Sequence, residues 1–123
     1  MIEQTLFSAL STASAITAIC GTRVYPLVLR IDPVFPAITY QLVASVTTPS
    51  LETSTGLTRT RMQFDAWGAS YSDAVNLRQA ILDTLLDAQI DGIQNILHLS
   101  STDYFDHEAL QFIARIEFYV FHA

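Results

Sequence analysis

The sequence predicts an α+β domain with the element order αββαββ: a four-stranded, mainly antiparallel sheet with two helices packed on one face. Three observations carry this prediction. Two stretches, one at the N-terminus and one beginning near Ser70, repeat apolar residues at spacings of three and four, the period of an amphipathic helix. Four stretches alternate apolar and polar residues, the period of a strand with one buried face. Glycine, proline and Ser/Thr-rich segments fall between these stretches rather than inside them.

The first helix is read from Ile2 to about Ile19, on the apolar series Ile2, Leu6, Ala9, Leu10, Ala13 and Ile16, with Glu3 favourably placed in the first turn. Gly21 is positioned to stop it, and Pro26 prevents its continuation. Pro26, Pro33 and Pro36 then punctuate an extended covering arm through Leu29, Arg30, Ile31 and Asp32. Ala37 to Val46 follows as a strand. Its strict alternation puts Ile38, Tyr40, Leu42, Ala44 and Val46 on one face and Thr39, Gln41, Val43 and Ser45 on the other.

Thr47 to Leu57 is polar and turn-rich and reads as a long, flexible hairpin loop. In the next strand, Thr58 to Trp67, Thr60, Met62, Phe64 and Ala66 alternate with Arg59, Arg61, Gln63, Asp65 and Trp67. One side of this strand suits packing against helices and the other remains available. Gly68 ends it, and Ser70 with Asp73 forms a capping pair for a second helix. That helix buries Ala74, Leu77, Ile81 and Leu85, broadened by Leu82 and Leu86, and turns Asn76, Arg78, Gln79, Asp83 and Asp87 to solvent. After the Asp91-Gly92 turn come strands Ile93 to Ser101 and Ala109 to Phe121, joined through Thr102 to Glu108. In the last strand Phe112, Ala114, Ile116, Phe118 and Val120 share one face, and Ile113, Arg115, Glu117, Tyr119 and Phe121 the other. A half-aromatic second face suits cover by a neighbouring subunit.

A chain of 123 residues, half of them hydrophobic, closes one core without staples, so residues 1–123 are read as a single domain. The lone Cys20 forms no intramolecular bridge and fits a buried small apolar role. Twelve acidic residues stand against six basic ones, all arginine, giving a net charge of −6 that argues against stable nucleic-acid binding. Only 15% of residues are charged, which suits burial against other subunits. The N-terminus has no signal-peptide pattern and no apolar stretch is long enough for a bilayer, so synthesis in the cytoplasm and no membrane partner are expected.

Chemistry is sparse. His98, His107 and His122 lack the spacing of a zinc site, the glycines stand singly, and no serine sits in a nucleophile elbow, so no catalytic residue, cofactor or metal is expected. The densest ionisable cluster is Asp103, Asp106, His107 and Glu108, placed on a loop. It is the one place where a rival reading, a small ligand-binding or enzymatic domain, would have its site; the plainer reading is a solvated acidic turn. Arg59 and Arg61 beside Asp65 and Trp67 form the most suggestive polar group. They can pair across strands with acids such as Glu117, or anchor a subunit interface.

The run Met62-Gln63-Phe64-Asp65-Ala66-Trp67-Gly68-Ala69-Ser70-Tyr71-Ser72-Asp73-Ala74 resembles the tail terminator, or tail completion, proteins of long-tailed bacteriophages. The opening helix with Leu6 and Leu10 agrees in order and position. So do Arg23-Val24-Tyr25-Pro26 leading to Phe35-Pro36-Ala37-Ile38-Thr39-Tyr40, and a closing strand that ends at His122. These are patterns of core, turn and cap. A departure is Leu29-Arg30-Ile31-Asp32, where the family pattern is more polar and contains proline.

The resemblance implies a structural virion protein without enzymatic activity. Such a protein forms a ring, usually a hexamer, at the head-proximal end of the tail, stops tube polymerisation and offers a surface for the head-tail connector protein. Its expected partners are copies of itself, the tail tube protein and the connector, with DNA only passing through the lumen. The expected interface residues are Arg59, Arg61, Asp65, Trp67, Tyr71, Glu117 and Tyr119. The loop at Thr47 to Leu57 is expected to project toward the tube or lumen, and the acidic balance to make the lumen negative.

Overall fold

The structure, a computed structural model, describes residues 2–29, 33–48, 57–87 and 90–122. Most of the 47–57 loop and the middle of the 29–32 arm, where sequence expectations had been placed, lie outside the described residues. Three helices and five strands follow in the order α1 (Ile2–Thr12), α2 (Ser14–Cys20), β1 (Val24–Pro26), β2 (Ala37–Thr48), β3 (Leu57–Gly68), α3 (Tyr71–Asp87), β4 (Ile93–Asp106) and β5 (Gln111–His122). The sheet has the order β1-β2-β3-β5-β4, with β1 parallel to β2 and every other pair antiparallel. The α+β class stands, but five strands and three helices replace the expected four and two.

The first helix is broken at Ala13, whose backbone is extended. On a straight helix Ile16 would lie about 120° around the axis from Leu10. The break lets Leu6, Leu10, Ile16 and Cys20 all reach one core, each fully buried. Thr12 aids it locally, its hydroxyl donating back to the Ser8 carbonyl at 2.8 Å. Gly21 terminates α2 as expected, with φ 59° and its N–H donating to the Thr17 carbonyl.

Part of the expected covering arm is a strand. Val24, Tyr25 and Pro26 pair in parallel with Ile38, Thr39 and Tyr40. Three residues ending in proline give too short an alternation to show as a strand, and proline is tolerated there because β1 is an edge. Arg23 ties the segment down, its Nε donating to the Pro36 carbonyl at 2.8 Å.

Strict alternation along β2 also fails. A bulge between Leu42 and Ala44 shifts the register, so Ser45 lies opposite Thr60, while Ala44 and Val46 lie opposite Arg61 and Arg59. Ala44 and Val46 therefore share the face of Thr39 and Gln41, the reverse of the expectation, because one extra residue flips every later side chain. Ser45 instead meets the Thr60 hydroxyl at 2.7 Å, and Thr60 meets His122 Nε2 at 2.8 Å.

The remaining core follows the sequence. Met62, Phe64 and Ala66 of β3, Ala114, Ile116, Phe118 and Val120 of β5, and Ala74, Leu77, Ile81 and Leu85 of α3 are buried together. Phe64 and Phe118 meet edge to face at 5.9 Å. The Asp73 N–H donates to the Ser70 hydroxyl at 3.2 Å, so α3 is capped as expected. Two of its assignments change. Leu86 is exposed rather than part of the core, and Arg78 turns inward to bind the Asp103 carboxylate on β4. β4 itself runs five residues beyond its expected end, to Asp106.

Candidate functional site

All three helices contribute to the core on one side of the sheet. The opposite, open face carries side chains from all four long strands, at alternating positions: Thr39 from β2, Arg59, Arg61, Gln63, Asp65 and Trp67 from β3, Ile113, Arg115, Glu117 and Tyr119 from β5, Ser100 and Tyr104 from β4. Two ion pairs run laterally across it, while Arg59 has only a ring beside it. Arg115 lies directly opposite Asp65 and binds it through two nitrogens, Nε at 2.8 Å and Nη2 at 3.2 Å. Arg61 reaches diagonally to Glu117 at 2.6 Å, and the Ser100 hydroxyl donates to the same carboxylate at 3.2 Å. Asp65 and Glu117 are only 8% and 9% exposed although no helix covers them. Their shield is the arginines and rings around them. Pairing of this kind is what makes a buried carboxylate tolerable.

The rings are arranged in the same lateral way. Arg115 lies over Tyr104 at 4.6 Å and Arg59 over Tyr119 at 4.7 Å. Trp67 stacks on Phe35 with centroids 6.3 Å apart and donates its indole N–H to the Thr39 hydroxyl at 3.0 Å. Binding to Glu117 raises the Arg61 pKa, and the hydrogen bond to Asp65 does the same for Arg115, so both remain cationic at any working pH.

Of the residues expected at an interface, Arg59, Arg61, Asp65, Trp67, Glu117 and Tyr119 come together on this face. Tyr71 does not. It opens α3 on the helical side, donates its hydroxyl to Asp103 at 2.6 Å and meets Phe112 edge to face at 6.0 Å. Sequence reasoning placed Arg115 on the right face but gave it no role, because its partner is fixed by the β3–β5 register. Tyr104 was missed because its segment reads as a loop, and Thr39 and Phe35 because nothing local marks them as partners of Trp67.

The acidic cluster of the rival reading is dispersed. Asp103 points to the helical side, between Tyr71 and Arg78. Asp106 accepts the N–H groups of Glu108 and Ala109, each at 2.9 Å, and so shapes the β4–β5 turn. His107 packs against Phe105 with centroids 5.1 Å apart. These residues belong to a strand and a capped turn, not to a converging site. A groove of about 380 Å³ between α1, β1 and β2 is lined by Pro26, Leu27, Tyr40 and Leu42, with Glu3 as its one charged residue. Among the described residues no group of His, Cys, Asp and Glu is placed to hold a metal ion, and no helix is long and apolar enough to cross a membrane.

A sheet covered by helices on one side, with laterally paired charges and aromatic rings on the other, defines a class: a small α+β domain whose open sheet face suits contact with other proteins. The particular family follows from the sequence. The chain belongs to the family described as tail completion protein gp17, whose profile matches residues 4–122. It is therefore a structural component of the virion, not an enzyme. No curated protein matches it significantly. Among solved structures, a chain described as "Virion of native gene transfer agent (GTA) particle" shares the fold with a TM-score of 0.76 and 14% identity. That match covers 98% of this chain and 93% of the other.

Proposed function

We propose that this tail completion protein forms a ring, a hexamer, at the head-proximal end of a long phage tail, where it ends polymerisation of the tube and presents the joining surface for the head-tail connector. The observation that carries this reading is the open face of the sheet. Arginine and large aromatics are the side chains most often found at the centre of protein interfaces, and here they lie on a surface already rigid through lateral pairing. Arg59, Arg61, Asp65, Trp67, Glu117 and Tyr119 are the proposed contacts to neighbouring virion subunits. Tyr71, half exposed on the helical side and bound to Asp103, is proposed as a contact on a different surface from these six.

The loop around residues 47–57 is proposed to reach toward the tube or lumen. DNA would pass through the lumen without being held there. Twelve acidic residues against six arginines give the chain its negative balance, yet the open face carries Arg59, Arg61 and Arg115 against Asp65 and Glu117. A negative lumen therefore requires the ring to turn other surfaces inward.

The deciding experiment combines light scattering on the purified chain over a concentration series with electron microscopy of tails made in its absence. A ring-sized mass and overlong tails without heads are expected. Tails of normal length joined to heads in the absence of the protein would overturn the proposal.

A further inference from the structure

We infer that copies of this chain join edge to edge, the free part of β2 in one copy pairing with β4 of the next to continue the sheet between subunits. This rests on the ring reading and specifies how its copies meet. Both edges are long and available. β1 covers only Ile38, Thr39 and Tyr40 of β2, so Gln41–Thr48 has no strand beyond it among the described residues, and β4 is the last strand on the other side. On β4 the Thr102 carbonyl accepts Arg78 at 3.3 Å. Ser101, Thr102 and Asp103 fall level with Tyr40, Thr39 and Ile38, which β1 covers, so the pairing is confined to residues 93–100 of β4 and 41–48 of β2.

Natural edges are blunted by lysine, proline, inward charge or bulges. Both edges carry bulges, but neither has the other three. The chain contains no lysine, β2 has no charged residue or proline, and the first ten residues of β4, Ile93 to Thr102, have none either. Both edges instead expose apolar side chains: Val43 and Val46 at 41% and 51%, Leu97 and Leu99 at 47% and 36%.

Direction and level also agree. β2, β3, β5 and β4 alternate in direction, so the two edge strands run opposite ways. A copy rotated about an axis along the strands keeps its directions, and its β2 therefore meets the neighbouring β4 antiparallel. Following the observed partners across the sheet, Gln41 is level with Ser100 through Gln63 and Glu117, and Val46 with Asn95 through Arg59 and Phe121. Leu42 is level with His98 through Met62 and Phe118, so the bulge at Leu42/Ala44 and the bulge at His98/Ser100 stand one pair apart, on either side of that level. The two edges differ from each other, so the contact is head to tail, the kind that closes into rings.

Hydrogen exchange on the full chain, compared between dilute and concentrated samples whose masses are read by light scattering, tests this directly. Amides in 41–48 and 93–100 should slow by about tenfold or more when the ring-sized species forms. Val46→Lys and Leu97→Lys should each weaken association by about tenfold or more, with unchanged monomer melting, whereas Leu86→Lys on the exposed end of α3 should not. A ring that forms with both edges still exchanging freely, or that is lost in Leu86→Lys but kept in the other two variants, overturns edge pairing and leaves the ring reading intact. A strict monomer at every concentration overturns both.

Discussion

The two faces of this sheet are stabilised in different ways. On the helical side Phe64, Met62, Ile116 and Phe118 are completely buried and held by shape and exclusion of water. On the open side, Asp65 and Glu117 are nearly as buried, but by long neighbours that pair with them. The first face gains from every methylene it hides. The second gains little net stability and obtains instead a laterally paired arrangement of rings and guanidinium groups, which suits the proposed contact with neighbouring subunits.

The sharpest way to break that contrast is Phe64→Ala. Emptying the centre of the core should cost about 3–5 kcal/mol in urea unfolding. A loss below about 1 kcal/mol would mean that the helical face is not the principal core. Next in size is Gly68→Ala, at the point where β3 leaves the sheet for α3. A Cβ there would lie 2.7 Å from the Ala74 backbone nitrogen and 3.0 Å from Asp73 Cβ. About 1–3 kcal/mol of destabilisation is expected from such crowding, read as a lowered Tm. An unchanged Tm would show that the junction relaxes easily.

On the open face, Asp65→Ala should cost about 1–2 kcal/mol, chiefly because Arg115 loses its carboxylate. In a double-mutant cycle, adding Arg115→Ala should recover part of that loss. Strict additivity would show that the pair is not coupled and that the face is organised otherwise.

The smallest effect concerns Asp103. The hydrogen bond from Tyr71, assisted by Arg78, lowers its pKa below the usual aspartate range. A depressed folded pKa contributes stability that is present above the unfolded value, about 3.9, and is lost as pH falls through the lowered one. Asp103→Asn should therefore lower stability by about 0.5 kcal/mol at neutral pH and converge with the parent protein in strong acid. Curves that stay parallel down to pH 2 would remove the ion pair from the account.

The helical face was legible to the residue in β3 and β5, and in α3 except at Leu86 and Arg78, because burial imposes a period that the chain displays directly. The Ser70–Asp73 cap and the Gly21 stop were legible for the same local reason. Ala13 was not, since a helix break between two apolar stripes looks like one longer stripe until the core requires both on one side. The bulge in β2 was hidden because a single extra residue leaves the composition unchanged while reversing Ala44 and Val46. Arg78 read as a solvent residue from its place on the helix, and only the extension of β4 to Asp103 supplied its partner.

By itself the sequence determined the α+β class, the core face of the sheet, the second helix with its cap, and the family through the run from Met62 to Ala74. Those are local or periodic properties, set by propensity and by water. Tertiary structure alone decided that Val24–Pro26 is a strand, that Arg115 holds Asp65 while Arg61 holds Glu117, that Tyr71 sits across the sheet from the other interface candidates, and that among the described residues two neutral edges remain open at opposite sides. Each of these depends on register between segments distant in the chain, and register is set by the packing of the whole sheet rather than by any segment alone.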